Sequence, residues 1–466
     1  MTQAKKTIPS TPMIQPTTLR QRHLILDALR GMALLGICLA NYPEFSLYTF
    51  LDSSVTAAMP TAPVDTVVKY LQYIFIDGKF YTLFSILFGI GFSLMLTNAR
   101  EKGINGLRIF YRRMAILLLI GLIHLVFLWA GDILILYAFV GFFLPLFRKL
   151  SDKKLLLSAA LLLLLPVGID TIVMYTGWDP AAPAIRATHY FHTLVGINEE
   201  NFPVWLVQHD SYMDIVRFNL GGSFIRMQEF IEGNRAFKVL ALFLLGFYIG
   251  RKQFYAHLDA CQPLLRKVAT YGFLIGLPTS LLYAWSAMNA HPLGLGIHSL
   301  FYTVSVVPLS LAYTTAICLV YLKNKEKRMF TLFAAPGRMA LTNYILQSVF
   351  GMILFYGIGF GLGAKTGLIY VELIATAVFG FQILYSYLWF RHNRFGPLEW
   401  GWRMLTYGQW LKLTQTQVSC ASPTCREHGK PGLSPGTAHP GTAESEKALP
   451  RNRHRNQEER YHSSQN

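Results

Sequence analysis

Apolar runs of bilayer-crossing length recur from Leu24 to about Phe390 and take up more than half of that stretch. They cover residues 24–45, 80–98, 113–130, 132–147, 154–175, 236–250, 268–287, 297–322, 338–358 and 368–390. A run of roughly 15–22 apolar residues is long enough to cross a hydrocarbon core as a helix. In lipid each backbone amide must be satisfied within its own segment, so such runs are helices. The expected fold class is all-α: a polytopic membrane helix bundle with about ten transmembrane helices. Charged residues support this, at 14% of the chain against roughly 25% in a soluble domain.

The loops set an expected orientation. Basic clusters follow every second run: Arg100, Lys102, Arg108, Arg112 and Arg113; Arg148, Lys149, Lys153 and Lys154; Arg251 and Lys252; Lys323, Lys325, Lys327 and Arg328. The intervening loops are more acidic, with Asp179, Glu199, Glu200, Asp210, Asp214, Glu229 and Glu232 in the longest. The positive-inside rule then puts both termini in the cytoplasm. The net charge of +17 belongs to these loops, and without a groove-reading motif no nucleic acid is expected as partner.

The expected organisation is a cytoplasmic arm over 1–22, a transmembrane domain over 23–410 with a long outer insert at 176–235, and a tail at 411–466. The segment 46–79 is mixed in character and partly amphipathic. The tail is rich in Ser, Pro, Gly and His and is expected to be disordered. The stretch RFGPLEWGWRMLTY, 394–407, suits a short helix in the inner headgroup layer. No short apolar region with a cleavage site precedes Leu24, so the first span is the expected insertion signal. The five cysteines are scattered and imply neither a disulfide framework nor a metal site.

Polar groups inside such runs are costly and mark candidate sites. His124 lies deep in the third run, and Asp132 opens the fourth just across a turn. An imidazole oriented by a carboxylate serves as general base or proton relay. The plainer alternative is a neutral histidine on a backbone carbonyl, with Asp132 as an N-cap. These two are the candidate catalytic residues. Asp27 and Arg30, one turn apart at the cytoplasmic start of the first run, are either a grip for a phosphate or carrier or an i,i+3 ion pair. Asn41 near the far end of that run, and Asp77 and Lys79 at the outer start of the second, are further candidate substrate-binding residues. Arg226 and Glu229 in the insert lie on the same side. Glu372, a lone carboxyl inside the last run, is expected to be protonated, paired or part of a proton path. Asn343 and Gln347 share one helix face and suit interhelical hydrogen bonds. Walker, G-x-S-x-G, H-E-x-x-H and dinucleotide motifs are missing from the sequence, so no bound cofactor is expected.

Four stretches in this order, LDALRGMALLGICLAN, GLIHLVFLWAGDILILYAFVG, GRMALTNYILQS and RFGPLEWGWRMLTYG, resemble the YeiB family of bacterial membrane proteins, which carries domain of unknown function 418 at its C-terminal side. The resemblance covers residues 20–410 and implies a multi-pass protein of the bacterial inner membrane. The first stretch is also similar to two membrane acyltransferase groups, the acyltransferase-three family and the heparan-glucosaminide N-acetyltransferase family. Those enzymes move an acyl group across the membrane onto a sugar, which implies acyl-coenzyme A as donor. Asn41 matches the second group; its working histidine before span 2 is missing from YLQYIFIDGKF, which leaves the base role to His124. Two functions are therefore expected: an acyltransferase modifying an envelope sugar or related metabolite, or a proton-coupled transporter or exporter of a small polar metabolite. The lipid bilayer and a small-molecule substrate are the expected partners.

Overall fold

The computed structural model describes residues 23–324 and 327–414. The N-terminal arm, and the tail from 415 onward with Cys420 and Cys425, lie outside the described residues.

Helix α1 is Leu24–Phe45, and the short α2 is Ser53–Ala57. Helix α3, Ala62–Leu71, continues as a wide helical turn over Gln72–Ile76, and α4 is Lys79–Glu101. Then come α5 (Gly106–Phe127), α6 (Leu134–Phe143) and α7 (Asp152–Thr176). The insert holds α8 (Ala182–Thr193), α9 (Phe202–Gln208) and α10 (Tyr212–Glu232). The rest is α11 (Arg235–Arg251), α12 (Gln262–Met288), α13 (Leu295–Lys323), α14 (Arg328–Arg338), α15 (Ala340–Phe355), α16 (Leu368–His392) and α17 (Pro397–Tyr407).

Seven helical stretches among the described residues are long and apolar enough to cross a membrane: α1, Ala62–Glu101, α5, α7, α12, α13 and α16. Leu134–Phe147 and Ala340–Phe355 are apolar but shorter, and α11 has 17 residues. The chain is thus a polytopic helix bundle whose expected spans at 132–147, 236–250 and 338–358 fold as short helices. Outward-facing side chains agree with a lipid setting. Helix α7 exposes Leu157, Leu161, Leu164 and Leu165, and α5 exposes Leu119, Leu122 and Ile123. Continuous apolar surface of this kind is unstable in water and natural in lipid.

Contacts set the relative directions of the helices. Gly121 meets Ile135 and Gly141 meets Met114, so α5 and α6 are antiparallel. So are α12 and α13, where Gly276 meets Leu309 and Gly272 meets Ala312. The pairs Asn343–Ser386 and Gln347–Gln382 run α15 against α16, as expected of residues sharing one face. Gly246 meets Ile86 and Gly250 meets Ile90, so α11 runs parallel to α4. At the start of α1 the approach is closest: a Cβ on Gly337 would fall 1.9 Å from the Asp27 carbonyl oxygen, and one on Gly31 1.9 Å from that of Phe333. Only glycine lets α14 lie backbone to backbone on α1.

Three regions depart from the sequence expectation. The segment before α4, mixed and partly amphipathic in sequence, folds as a helix and packs against α16 and α12. Its Val64, Val67, Leu71 and Phe75 face outward while Asp65 is buried. At Gly78 (φ 77) the chain breaks into α4, a left-handed conformation that glycine adopts without strain. The polar insert is helical, and α10 serves the end of α5. Tyr212 Oη donates to the Phe127 carbonyl (2.6 Å), Asn219 Nδ2 to that of Val126 (3.2 Å) and Arg226 Nε to that of Ala130 (3.4 Å). Carbonyls at and just past a helix C-terminus have no intrahelical donor, so α10 satisfies what lipid would leave bare. Finally, ordered chain passes the expected boundary at 411: Arg394 N donates to Leu413 O (2.8 Å), and Asn393 bridges Thr414.

Candidate functional site

A cavity of about 690 Å³ runs through the bundle between α1, α4, α5, α6, α15 and α17. Helix α1 lines it from Asp27 to Glu44, about 26 Å along a helix axis, which is close to the roughly 30 Å of a hydrocarbon core. One end carries Asp27, Arg30, Arg113, Arg403, Trp402 and Tyr407. The other carries Asn41, Glu44, Asp77, Tyr81, Arg226 and Arg235.

The first end is basic and braced by α17. Arg30 Nη1 donates to Asp27 Oδ1 at 2.7 Å. The Arg113 guanidinium lies 4.1 Å above the Trp402 ring, and Trp402 Nε1 donates to Arg113 O at 3.2 Å. Glu399 accepts from Thr342 N (3.0 Å) and Thr342 Oγ1 (2.7 Å), capping the start of α15. Burial pushes the Glu399 carboxyl above its usual range, against the pull of the Thr342 hydrogen bonds. Guanidinium groups around a hollow are suited to phosphate or carboxylate.

The far end is closed by the insert. Arg226 Nη2 donates to Glu44 (3.0 Å) and Nη1 to Glu229 (2.5 Å), with its guanidinium 5.7 Å from the Trp129 ring centre. Arg226 thus meets the cavity together with Glu44, while Glu229 stays off its wall and reaches it only through Arg226.

His124 and Asp132 come together as their positions suggested. Helix α5 ends one turn past His124, whose carbonyl accepts from Leu128 N and Trp129 N. The chain then turns back, and Asp132 Oδ2 lies 2.8 Å from His124 Nδ1 while Oδ1 accepts from Ile135 N at 2.7 Å. Asp132 therefore caps α6 and holds the imidazole at once. On the opposite ring edge, His124 Nε2 lies 2.8 Å from Ser348 Oγ of α15. All three side chains are buried. The tautomer that serves both partners donates Nδ1–H to Asp132 and accepts Ser348 O–H at Nε2. The Ser–His–Asp set is behind the cavity wall, where Tyr344, one turn before Ser348, faces the hollow. The Tyr344 ring centre is 5.2 Å from that of His124, and its Oη accepts from Ile133 N at 3.4 Å.

The remaining candidates are placed apart. Asn41 and Asp77 line the cavity, and Asp77 accepts from Tyr283 Oη at 2.5 Å. Lys79 is buried off the cavity wall and donates to Tyr73 O at 2.6 Å. Glu372 accepts from Gln72 Nε2 between α3 and α16, away from the cavity, and its second oxygen has no partner among the described residues. Sequence reasoning missed Ser348, Tyr344 and Glu44, and also a polar group in which buried Asn234, Ser299 and Lys238 surround the half-buried Asp170. There Asn234 Nδ2 donates to Asp170 (2.6 Å), Ser299 Oγ also donates to Asp170, and Lys238 lies 4.3 Å from the Tyr302 ring centre. Asp170 and Lys238 were visible as charges inside apolar runs. Ser348 carried no such signal.

Residues 249–409 match the family described as protein of unknown function (DUF418). The chain is 32% identical over 415 residues to the uncharacterized protein YxaH of Bacillus subtilis (strain 168), covering 86% of this chain and 98% of the relative. It is 28% identical over 398 residues to an uncharacterized 39.9 kDa protein in the amylase 3' region of Bacillus acidopullulyticus, covering 85% and 97%. To the uncharacterized protein YeiB of Escherichia coli (strain K12) it is 27% identical over 418 residues, covering 83% and 96%. No solved structure matches.

Proposed function

The chain belongs to the DUF418 family, with YxaH and YeiB among its relatives, and from that premise we propose a membrane-embedded acyltransferase of the bacterial inner membrane. The reading has about ten crossings with both termini in the cytoplasm, in keeping with the basic loops. The antiparallel neighbours, and α11 lying parallel to α4, are what regular alternation of spans would produce. The Asp27 end of the cavity is then cytoplasmic. An acyl-coenzyme A donor enters there, its phosphates against Arg30, Arg113 and Arg403. The acceptor, a sugar or related hydroxyl compound of the envelope, enters from the Asn41 and Asp77 end when the Arg226–Glu44 pair opens.

The observation that carries this reading is a cavity lined by α1 from Asp27 to Glu44 with a histidine–carboxylate pair one side chain behind its wall. His124 acts as general base. Asp132 fixes its tautomer and stabilises the imidazolium that forms, the role a carboxylate plays in hydrolytic triads. The apolar wall between the two ends excludes water, which favours transfer to the acceptor over hydrolysis.

Purified protein in detergent should be stabilised thermally by acetyl-coenzyme A, with Arg113→Gln losing most of the shift. A flat thermal scan across acyl-coenzyme A chain lengths would sink the proposal. The Glu372 oxygen without a partner among the described residues favours a second reading, a proton-coupled transporter. Proton-driven solute uptake by vesicles, abolished in Glu372→Gln and indifferent to acyl donors, would establish that reading instead.

A further inference from the structure

We propose that Ser348 is a nucleophile that carries the acyl group between two half-reactions. This rests on the acyl-transfer reading above and gives that site its order of events.

The starting point is which proton His124 can take. Nδ1 is held by Asp132 at 2.8 Å, which leaves Nε2 as the basic atom. Nε2 is already engaged by Ser348 Oγ at 2.8 Å. The first hydroxyl within its reach is therefore the protein's own serine, and a base directed at a substrate would be occupied. Nucleophile, base and orienting carboxylate come from α15, α5 and the turn before α6, with the histidine at hydrogen-bond distance from both others, the arrangement that activates a serine. A bridging histidine needs only one acceptor and one donor to be satisfied. With Nδ1–H given to Asp132, the Nε2 lone pair needs a donor, and the donor it has is a hydroxyl that can itself become a nucleophile once its proton is taken.

Access runs through Tyr344. Its side chain lines the cavity, packs on His124 and holds the Ile133 amide. A change of Tyr344 rotamer opens the Ser348 hydroxyl to the hollow. The same motion frees the Ile133 N–H, which then serves as a donor to the oxyanion of the tetrahedral intermediate.

In the first half-reaction Ser348 Oγ attacks the thioester carbonyl carbon of the donor. The Oγ–C bond forms and the C–S bond breaks. His124 Nε2 takes the serine proton and passes it to the departing thiolate, which leaves as coenzyme A thiol. In the second, an acceptor hydroxyl gives its proton to Nε2 and attacks the serine ester. The acyl C–Oγ bond breaks and the proton returns to Ser348.

The test is fluorophosphonate labelling of the full-length protein in detergent, followed by peptide mass mapping. A phosphonyl adduct on Ser348 of the wild-type chain is expected, with none in Ser348→Ala. Labelling should fall by about tenfold or more in His124→Ala, because the serine loses its base. Mapping on the wild type needs no variant to fold, so a folded protein left unmodified at Ser348 overturns the assignment. A parallel acetyl-coenzyme A thermal shift separates the two levels. A shift without an adduct removes the serine step and leaves acyl transfer standing. An adduct without a shift keeps the nucleophile and removes the thioester donor.

Discussion

Arg226 and Glu44 are 182 residues apart in sequence and 3.0 Å apart in the fold. This ion pair ties the insert to the end of α1 and closes one end of the cavity. Arg226→Ala removes the shared partner of Glu44 and Glu229. The expected loss of stability is about 1–3 kcal/mol, below the cost at a fully buried pair because both carboxylates are partly exposed. In a background freed of native cysteines, Asn41→Cys should react faster with a membrane-impermeant maleimide once Arg226 is replaced. Unchanged maleimide kinetics would mean that the pair does not seal this end.

His124→Ala should cost more than Ser348→Ala. The first leaves the Asp132 carboxylate and the Ser348 hydroxyl without their shared partner, a penalty of about 1–3 kcal/mol per buried group. The second leaves only one imidazole nitrogen unserved. Thermal unfolding in detergent ranks them, and the opposite order would show that Asp132 is held mainly by α6.

Gly337→Ala drives a methyl group into the Asp27 carbonyl and must part α14 from α1, at a cost of about 1–3 kcal/mol. Gly91→Ala is the control. A Cβ there meets nothing within 4 Å, and the better helix propensity of alanine should add up to about 1 kcal/mol. Equal melting temperatures for the two variants would contradict the close approach.

The insert has a pH response of its own. His192 on α8 is buried against Phe202 and Phe218, with Nε2 unpartnered among the described residues. Burial lowers its pKa below 6.5, and a backbone hydrogen bond at Phe218 only partly offsets this. The unfolded chain therefore binds the proton more readily than the folded one. The stability this group supports is fully present above pH 6.5 and is lost as pH falls towards the folded-state pKa. Melting temperature should drop below that pH in the wild type and drop less in His192→Asn. Parallel curves would assign the acid sensitivity elsewhere.

What was legible in the chain was local. Asp27 with Arg30, and Asn343 with Gln347, follow from helical spacing alone. His124 with Asp132 follows from one tight turn between two apolar runs. The partners of Asn343 and Gln347 on α16 needed only the antiparallel hairpin. Ser348 on His124 and Arg226 on Glu44 were hidden, because each depends on which helices neighbour one another across long stretches of chain. Neither residue differs locally from an ordinary serine in a helix seam or an arginine in a polar loop. Helix α3 was missed for a related reason. Its sequence is only partly amphipathic, and the fold alone shows Asp65 and Gln72 meeting α16, where Asp65 accepts from the Ile369 amide at 2.9 Å.

The wide turn before Gly78 has a consequence for Lys79. Over Gln72–Ile76 the hydrogen-bond ladder slips out of register, and three successive carbonyls are served by side chains from three helices. Lys79 Nζ donates to Tyr73 O, Ser280 Oγ to Ile74 O at 2.7 Å and Tyr313 Oη to Phe75 O at 3.4 Å. The lysine here stands in for a peptide N–H, and its ammonium is spent on the main chain. A leucine at 79 would leave a bare carbonyl in hydrocarbon, so the position needs a donor of that reach.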